Sequence, residues 1–167
     1  LMFAWYLYLH MSWPPAVEPL SGCRVDVFIP VYNEPLALIE QTLTAACAIT
    51  YPHTTYLLDD GRQEAHQKLA HRLGAVYLSR ADNTDHKAGN INHALSHSQG
   101  DFIVVFDADH IPAPDFLDRV MGPFRDEAVG FVQVALHHYN RASSFIAAAN
   151  AQRNDGFFRA PTLGLAG

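Results

Sequence analysis

Asp107 and Asp109 carry the most chemical content in this chain, separated by one alanine directly after the apolar run Phe102-Ile103-Val104-Val105-Phe106. Two neighbouring carboxylates repel each other unless a cation lies between them. Hard oxygen donors suit Mg2+ or Mn2+, which keep coordination positions free for phosphate oxygens. Side chains at i and i+2 of an extended segment point to the same side, so the pair is expected to converge just beyond a strand. A second acidic pair, Asp59-Asp60, follows Thr55-Tyr56-Leu57-Leu58. Adjacent side chains on an extended chain point oppositely, so one of these carboxylates is expected to face a ligand while the other braces the loop. A carboxylate that meets a ligand without a metal accepts N–H donors, as from a nucleobase edge. Lys87-Ala88-Gly89-Asn90 leads into a helical stretch. Backbone N–H groups at a helix start favour an anion, and Lys87 adds a full positive charge. A metal pair, a phosphate-friendly helix start and a base-reading carboxylate together describe a nucleoside-diphosphate site.

These groups need elements to hold them. Val25–Pro30 reads as a strand, ended by the turn Tyr32-Asn33-Glu34-Pro35. Pro35 suits the first turn of a helix, in which Leu36, Ile39, Leu43 and Ala46 form a buried face that ends near Thr50. Thr55–Leu58 is a second strand, Gln63–Leu73 a helix stopped by Gly74, and Val76–Ser79 a short third strand. Arg80–Lys87 is a polar loop and Ala88–Ser98 a helix. The run from Phe102 is apolar at every position, which predicts a fully buried strand at the centre of a parallel sheet. Pro112 and Pro114 set up a helix carrying Phe116, Leu117 and Val120. Val129–Ala135 is expected as a further strand and Ala142–Arg153 as a helix. Strands alternating with helices indicate an α/β domain with a mainly parallel sheet. In such a sheet the polar clusters at three strand ends, Tyr32 to Glu34, Asp59-Asp60 and Asp107 to His110, share the edge where ligands bind. Neither G-x-G-x-x-G after the first strand nor G-x-x-x-x-G-K-[ST] occurs.

At 167 residues, 49% hydrophobic and 17% charged, the sequence describes one globular domain. A net charge of −6 without a long basic run argues against a nucleic-acid surface. Ten histidines are scattered without zinc-ligand spacing. Cys23 and Cys47 make no disulfide framework, and Cys47 is expected on the apolar face of a helix as a small core residue. Leu1–Leu9 has no charge and is rich in aromatic residues, but is too short to span a bilayer. It reads either as the end of a transmembrane helix or as an element of a soluble fold. Pro14, Pro15 and Pro19 then mark an extended linker.

Four stretches carry a family resemblance. Val27-Phe28-Ile29-Pro30-Val31-Tyr32-Asn33-Glu34-Pro35, Leu57-Leu58-Asp59-Asp60-Gly61-Arg62, Lys87-Ala88-Gly89-Asn90-Ile91-Asn92 and Val105-Phe106-Asp107-Ala108-Asp109-His110-Ile111-Pro112 resemble, in order and spacing, the processive family 2 glycosyltransferases. The bacterial cellulose synthases are the nearest group. The resemblance implies a GT-A, Rossmann-like nucleotide-sugar-binding fold over 25–158, incomplete at its C-terminal side. Residues 1–24 would be the end of a transmembrane helix and a linker, and 159–167 an unassigned tail.

By position, the resemblance implies that Tyr32 and Glu34 flank a uridine and that Asp60, with Asp59 beside it, contacts the uracil. Lys87 would meet the diphosphate, and Asp107 and Asp109 would hold Mg2+ (or Mn2+) and the nucleotide. The implied donor is UDP-glucose and the partner a growing glucan chain, β-1,4-linked as in cellulose. Chitin, hyaluronan, another β-glucan, or nucleotide-sugar binding without turnover stay open as alternatives. The implied setting is the inner membrane, reached through flanking transmembrane helices, with this domain on the cytoplasmic side and a periplasmic synthase subunit as partner. No nucleic acid is implied. Where family members read His-Ala-Lys-Ala-Gly-Asn, this chain has Asp85-His86-Lys87-Ala88-Gly89-Asn90; where they read Val-Gln-Thr-Pro, it has Val132-Gln133-Val134-Ala135. The family's Thr-Glu-Asp motif, which holds the general base, and its Gln-x-x-Arg-Trp motif do not occur in these 167 residues. No residue here is therefore assigned as catalytic.

Overall fold

The computed structural model describes residues 17–134 and residue 152. The chain divides into two compact units, Glu18–Asp126 and a second made of Leu1–Val17 with Glu127–Gly167. All elements described below lie in the first. β1 (Val25–Val31), β2 (Thr54–Asp59), β3 (Val76–Leu78) and β4 (Phe102–Val105) form a parallel sheet in the order β3-β2-β1-β4. Between them run α1 (Leu36–Cys47), α2 (Glu64–Leu73) and α3 (His86–Leu95), and after β4 come α4 (Phe116–Val120) and a 3-10 turn at Gly122–Arg125.

β1 is buried along its whole length because its alternating side chains serve two cores. Val25, Val27, Ile29 and Val31 pack with Ile39, Leu43 and Ala46 of α1, Leu69 of α2 and Leu117 of α4. Phe28 faces the other way, onto Leu58 and Ala94 of α3, with Tyr56, Ile91 and Ile103 around it. One face of the sheet is thus covered by α1, α2 and α4 and the other by α3, the layered arrangement that the βαβ alternation predicts. Gly74 closes α2 in the left-handed conformation, φ 77°, as its position after the last apolar residue suggests.

Several details differ from the sequence expectations. β4 is not central: among the described residues it pairs with β1 alone, and Val105 is exposed. Pro30 gives a reason for its shortness. The Phe28 carbonyl accepts the Phe106 N–H at 3.0 Å, so residues of this parity on β1 face β4. Pro30, two residues on, has no N–H to continue that ladder, and the β1–β4 register ends at Phe28 and Val105. On α1 the buried face is Ile39, Thr42, Leu43 and Ala46, while Leu36 stays exposed. α1 also starts just after Pro35 and stops at Cys47, and α3 starts at His86, before the expected Ala88. Residues 129–134 form no strand, and Phe131 is exposed. Ala135, the stretch 1–16 and, but for residue 152, the helix expected over 142–153 lie outside the described residues. Cys47 packs partly buried against the core and burial pushes its thiol pKa up; both cysteines are free. Among the described residues no helix is long and apolar enough to cross a membrane.

Leu43 is fully buried where α1 meets β1. Leu43→Ala should cost about 2–5 kcal/mol of folding stability in denaturant titration, and a loss below about 1 kcal/mol would mean that α1 is not seated on the sheet as described.

Candidate active site

The parallel register decides what meets at the C-terminal edge of the sheet. Val31 lies opposite Asp59 and its carbonyl accepts the Asp60 N–H at 3.0 Å, so Tyr32–Glu34 and Asp60 leave their strands side by side. On the other flank β4 releases the chain at Val105, which brings the Asp107–Asp109 segment to the same edge. The result is a cleft of about 410 Å³ that Tyr32, Glu34, Asp60, Lys87, Asp107 and Asp109 all line. Asn83, His86 and Asn90 complete its polar wall, and Pro30, Val31 and Leu38 its apolar floor.

Of the acidic pair, Asp59 turns into the core and Asp60, itself buried, toward the cleft. Asp59 is fully buried and does not line the cleft, so the expectation that it stands beside Asp60 against a base is corrected. Four donors claim its carboxylate: the Gly61 and Gln63 N–H groups, each at 2.8 Å, the Tyr77 hydroxyl at 3.0 Å, and His66 Nδ1 at 3.2 Å. Burial and this carboxylate push the Tyr77 hydroxyl pKa up to about 12. Asp59 therefore braces the turn that presents Asp60. A Cβ at Gly61 would collide with the Tyr32 carbonyl, which explains why the two strand ends can lie so close.

Asp60 is held by Arg80, from the polar loop between β3 and α3. The Arg80 fork donates from Nε to Asp60 Oδ1 at 2.7 Å and from Nη2 to Oδ2 at 2.8 Å. The same guanidinium reaches the carbonyls of Thr84 at 2.7 Å and His86 at 2.9 Å. One side chain thus ties the end of β2 to the loop that delivers Lys87. That loop is bent hard: Asp85 and His86 both have positive φ, 59° and 47°, a conformation uncommon for non-glycine residues in which aspartate and histidine are among the better tolerated. Gly89 is needed for the loop rather than for a ligand, because a Cβ there would collide with the Thr84 carbonyl and come within 2.6 Å of Arg80 Nη1. Asp85, where the chain departs from the family pattern, stands at the N-cap position of α3 without a side-chain capping bond and does not line the cleft. Asn90 is buried and donates to the Leu58 carbonyl at 2.9 Å, which seats the start of α3 against β2.

Asp107 and Asp109 do come together, though not through a strand pleat. They sit in a turn in which the His110 N–H reaches the Asp107 carbonyl at 3.0 Å and the Asp107 N–H reaches His110 Nδ1 at 3.1 Å. From behind, the Thr42 hydroxyl donates to the Ala108 carbonyl at 2.7 Å. The remaining ring nitrogen of His110 lies 3.8 Å from Asp107 Oδ2 and 3.9 Å from Asp109 Oδ1. Asp107, Asp109 and His110 offer ligand atoms within 4.8 Å of one another. An octahedral ion with oxygen ligands at about 2.1 Å spans at most about 4.2 Å between donors. A small rotation of the exposed carboxylates closes that gap, so the donor set fits a hard divalent cation. Lys87 Nζ is ion-paired with Asp107 Oδ1, both side chains about half exposed. Glu34 accepts the Tyr32 backbone N–H at 2.7 Å, which fixes the turn after β1, and the Tyr32 side chain lines the cleft while staying exposed.

The structure therefore gathers six of the seven residues expected at the site and sends Asp59 inward. Arg80, Thr42 and His110 are the additions. Only His110 had a signal, as the neighbour of Asp109; Arg80 and Thr42 act over 20 and 66 positions of sequence and show no pattern. Arg80→Ala should leave Asp60 without its partner and speed amide hydrogen exchange over residues 84–89. Arg80→Lys should recover little of the protection, because a point charge cannot span the fork. Unchanged exchange in both variants would show that the loop is held by something else.

The Glycosyl transferase family 2 pattern matches residues 26–164. The chain is 44% identical over 143 residues to a cellulose synthase catalytic subunit (UDP-forming) of Xanthomonas axonopodis pv. citri (strain 306), covering 79% of this chain and 19% of that protein. It is 39% identical over 144 residues to cellulose synthase 2 of Novacetimonas hansenii, covering 80% of this chain and 9% of that protein. The chain thus spans no more than about a fifth of the length of these relatives. Among solved structures it resembles a mannosyltransferase from Pyrobaculum calidifontis in complex with GDP-Man and Mn2+. The TM-score is 0.66 at 27% identity, over 77% of this chain and 41% of that one. Glucosyl-3-phosphoglycerate synthase from Mycobacterium tuberculosis shares the fold at a TM-score of 0.55 and 21% identity, over 83% of this chain and 54% of that one. The parallel sheet with its flanking helices is the GT-A fold, and the chain belongs to glycosyl transferase family 2.

Proposed function

We propose that this chain is the donor-binding part of a membrane-embedded β-glucan synthase that takes UDP-glucose with Mg2+ or Mn2+ and extends a β-1,4-glucan. One observation carries the reading: a single cleft is lined by the Asp107 and Asp109 carboxylates beyond one strand, by Lys87 at a helix start and by Asp60, held by Arg80, beyond another strand. That is the layout a nucleoside diphosphate needs, with diphosphate at one end and base at the other. The identity to UDP-forming cellulose synthase supports uracil as the base and glucose as the sugar.

Within this reading each residue has a defined task. Asp107 and Asp109 would hold the metal, while His110, whose Nδ1 accepts the Asp107 N–H, holds the turn that carries them. The bound metal supplies charge neutralisation for the departing diphosphate. Lys87, now paired with Asp107, turns its three N–H donors to phosphate oxygens. Asp60 accepts the uracil N–H with the lone pairs that Arg80 leaves free, and Tyr32 closes over the nucleoside. Glu34 contributes by fixing Tyr32 rather than by meeting the ligand. Displacement at the anomeric carbon with inversion also needs a base for the acceptor hydroxyl, and none of these residues is assigned that role. The apolar, aromatic-rich Leu1–Leu9 stretch suits a membrane–water interface, and the family resemblance implies the cytoplasmic side of the inner membrane.

Titration of UDP and uridine against the purified chain tests the division of labour. UDP should bind more tightly with Mg2+ or Mn2+ than with EDTA. Lys87→Ala removes a charge-assisted hydrogen bond, about 1.5–3 kcal/mol, so UDP should weaken roughly tenfold to a hundredfold while uridine is little changed. Asp60→Ala should weaken both ligands alike. Equal losses of UDP and uridine in Lys87→Ala would make Lys87 a structural residue and place the phosphates elsewhere.

A further inference from the structure

We propose that Thr42 is a positioning residue for the Asp107/Asp109 pair, its buried hydroxyl setting through the Ala108 carbonyl the turn on which both carboxylates stand. The inference rests on the metal reading given above.

The strand cannot aim these carboxylates, because β4 ends at Val105 and the two aspartates lie in a turn. Their own surroundings hold them weakly: the Asp109 side chain is 71% exposed, and that of Asp107, 50% exposed, has the solvent-exposed Lys87 as its ion-pair partner. Their directions depend on the backbone between them. Its middle residue, Ala108, is buried against the main core, and its carbonyl fixes the plane of the peptide leading into Asp109. The Thr42 Oγ1–Ala108 O bond, 2.7 Å long, joins residues 66 apart in sequence. His110 ties the opposite side of the same turn to Asp107.

The choice of residue supports the assignment. Thr42 is fully buried on α1 among Ile39, Leu43 and Ala46. An aliphatic residue would fill that place without a polar atom to satisfy. Threonine is a mediocre helix former, and a helical hydroxyl commonly turns back to its own helix four residues earlier. Here it donates outward, to the carbonyl of the residue between the two candidate ligands. Groups that orient metal ligands typically matter by about 10- to 100-fold in metal affinity.

The experiment titrates Mn2+ against the full chain, alone and with UDP, in the wild type, Thr42→Val, Thr42→Ser and Thr50→Val. Thr50 is the control, because its hydroxyl also bonds across the fold, to the Pro114 carbonyl at 3.0 Å and Asp118 at 2.8 Å, beyond the aspartate turn. Thr42→Val should weaken Mn2+ by about 10- to 100-fold and leave UDP binding in EDTA unchanged; Thr42→Ser should restore Mn2+ affinity, and Thr50→Val should keep it. If Thr42→Val does not fold, Thr42→Cys, with a weaker and longer donor, must lie between serine and the loss expected for valine. Wild-type Mn2+ affinity in Thr42→Val, or in Thr42→Cys where it stands in, overturns the proposal, as does an equal loss in Thr50→Val. Mn2+ binding that Asp109→Asn leaves intact in the wild-type background overturns the metal reading itself, and this inference with it.

Discussion

The cleft depends on β1, the strand buried on both faces and paired on both sides, and above all on where its pairing stops. Toward β2 the ladder runs to Val31 and Asp59, so Asp60 and Tyr32 emerge together. Toward β4 it ends at Phe28 and Val105. Pro30 cannot donate there, and the chain after Phe106 is free to turn. A parallel sheet without that early release would carry Asp107 and Asp109 onward as strand residues. The turn instead sets them facing Lys87 across the cleft, with Thr42 and His110 holding it from two sides.

The site's charges are paired in two ways, and the difference bears on how it works. Arg80 and Asp60 are nearly sealed from water, 10% and 6% exposed, and joined by two parallel bonds. Such a pair is not exchanged when a ligand arrives, because separating it would leave a buried charge without a partner. It fixes one end of the cleft. Lys87 and Asp107 are open to solvent, and an exposed pair of this kind is worth only about 0–1 kcal/mol. A diphosphate and its cation can therefore divide the two without a large cost. In the proposed reading the rigid pair would serve recognition of the base and the loose pair exchange at the phosphate end.

Much of this was legible in the residues. The alternation of apolar runs and helical faces announced a parallel α/β sheet, and acidic clusters after three runs marked one edge of it. The opposite facing of Asp59 and Asp60 followed from strand geometry alone. What the sequence hid has physical causes. The uninterrupted apolar character of Phe102–Val105 resembles that of a central strand, although its partner on one side suffices to explain it. The i, i+2 spacing of Asp107 and Asp109 suggested a pleat, whereas Pro30, seventy-seven positions before Asp107, governs the turn. Arg80 and Thr42 act through single long-range hydrogen bonds, and such bonds leave no periodicity to read.

The proposed site centres on a cation between Asp107 and Asp109. Crystals of the chain grown with Mn2+ and UDP, measured at the manganese absorption edge, locate the ion without reference to activity. One anomalous peak bonded to Asp107 and Asp109, with the diphosphate on its far side toward Lys87 and the uracil at Asp60, is the predicted result. UDP bound in the cleft without such a peak, or a manganese ion held elsewhere, would contradict it.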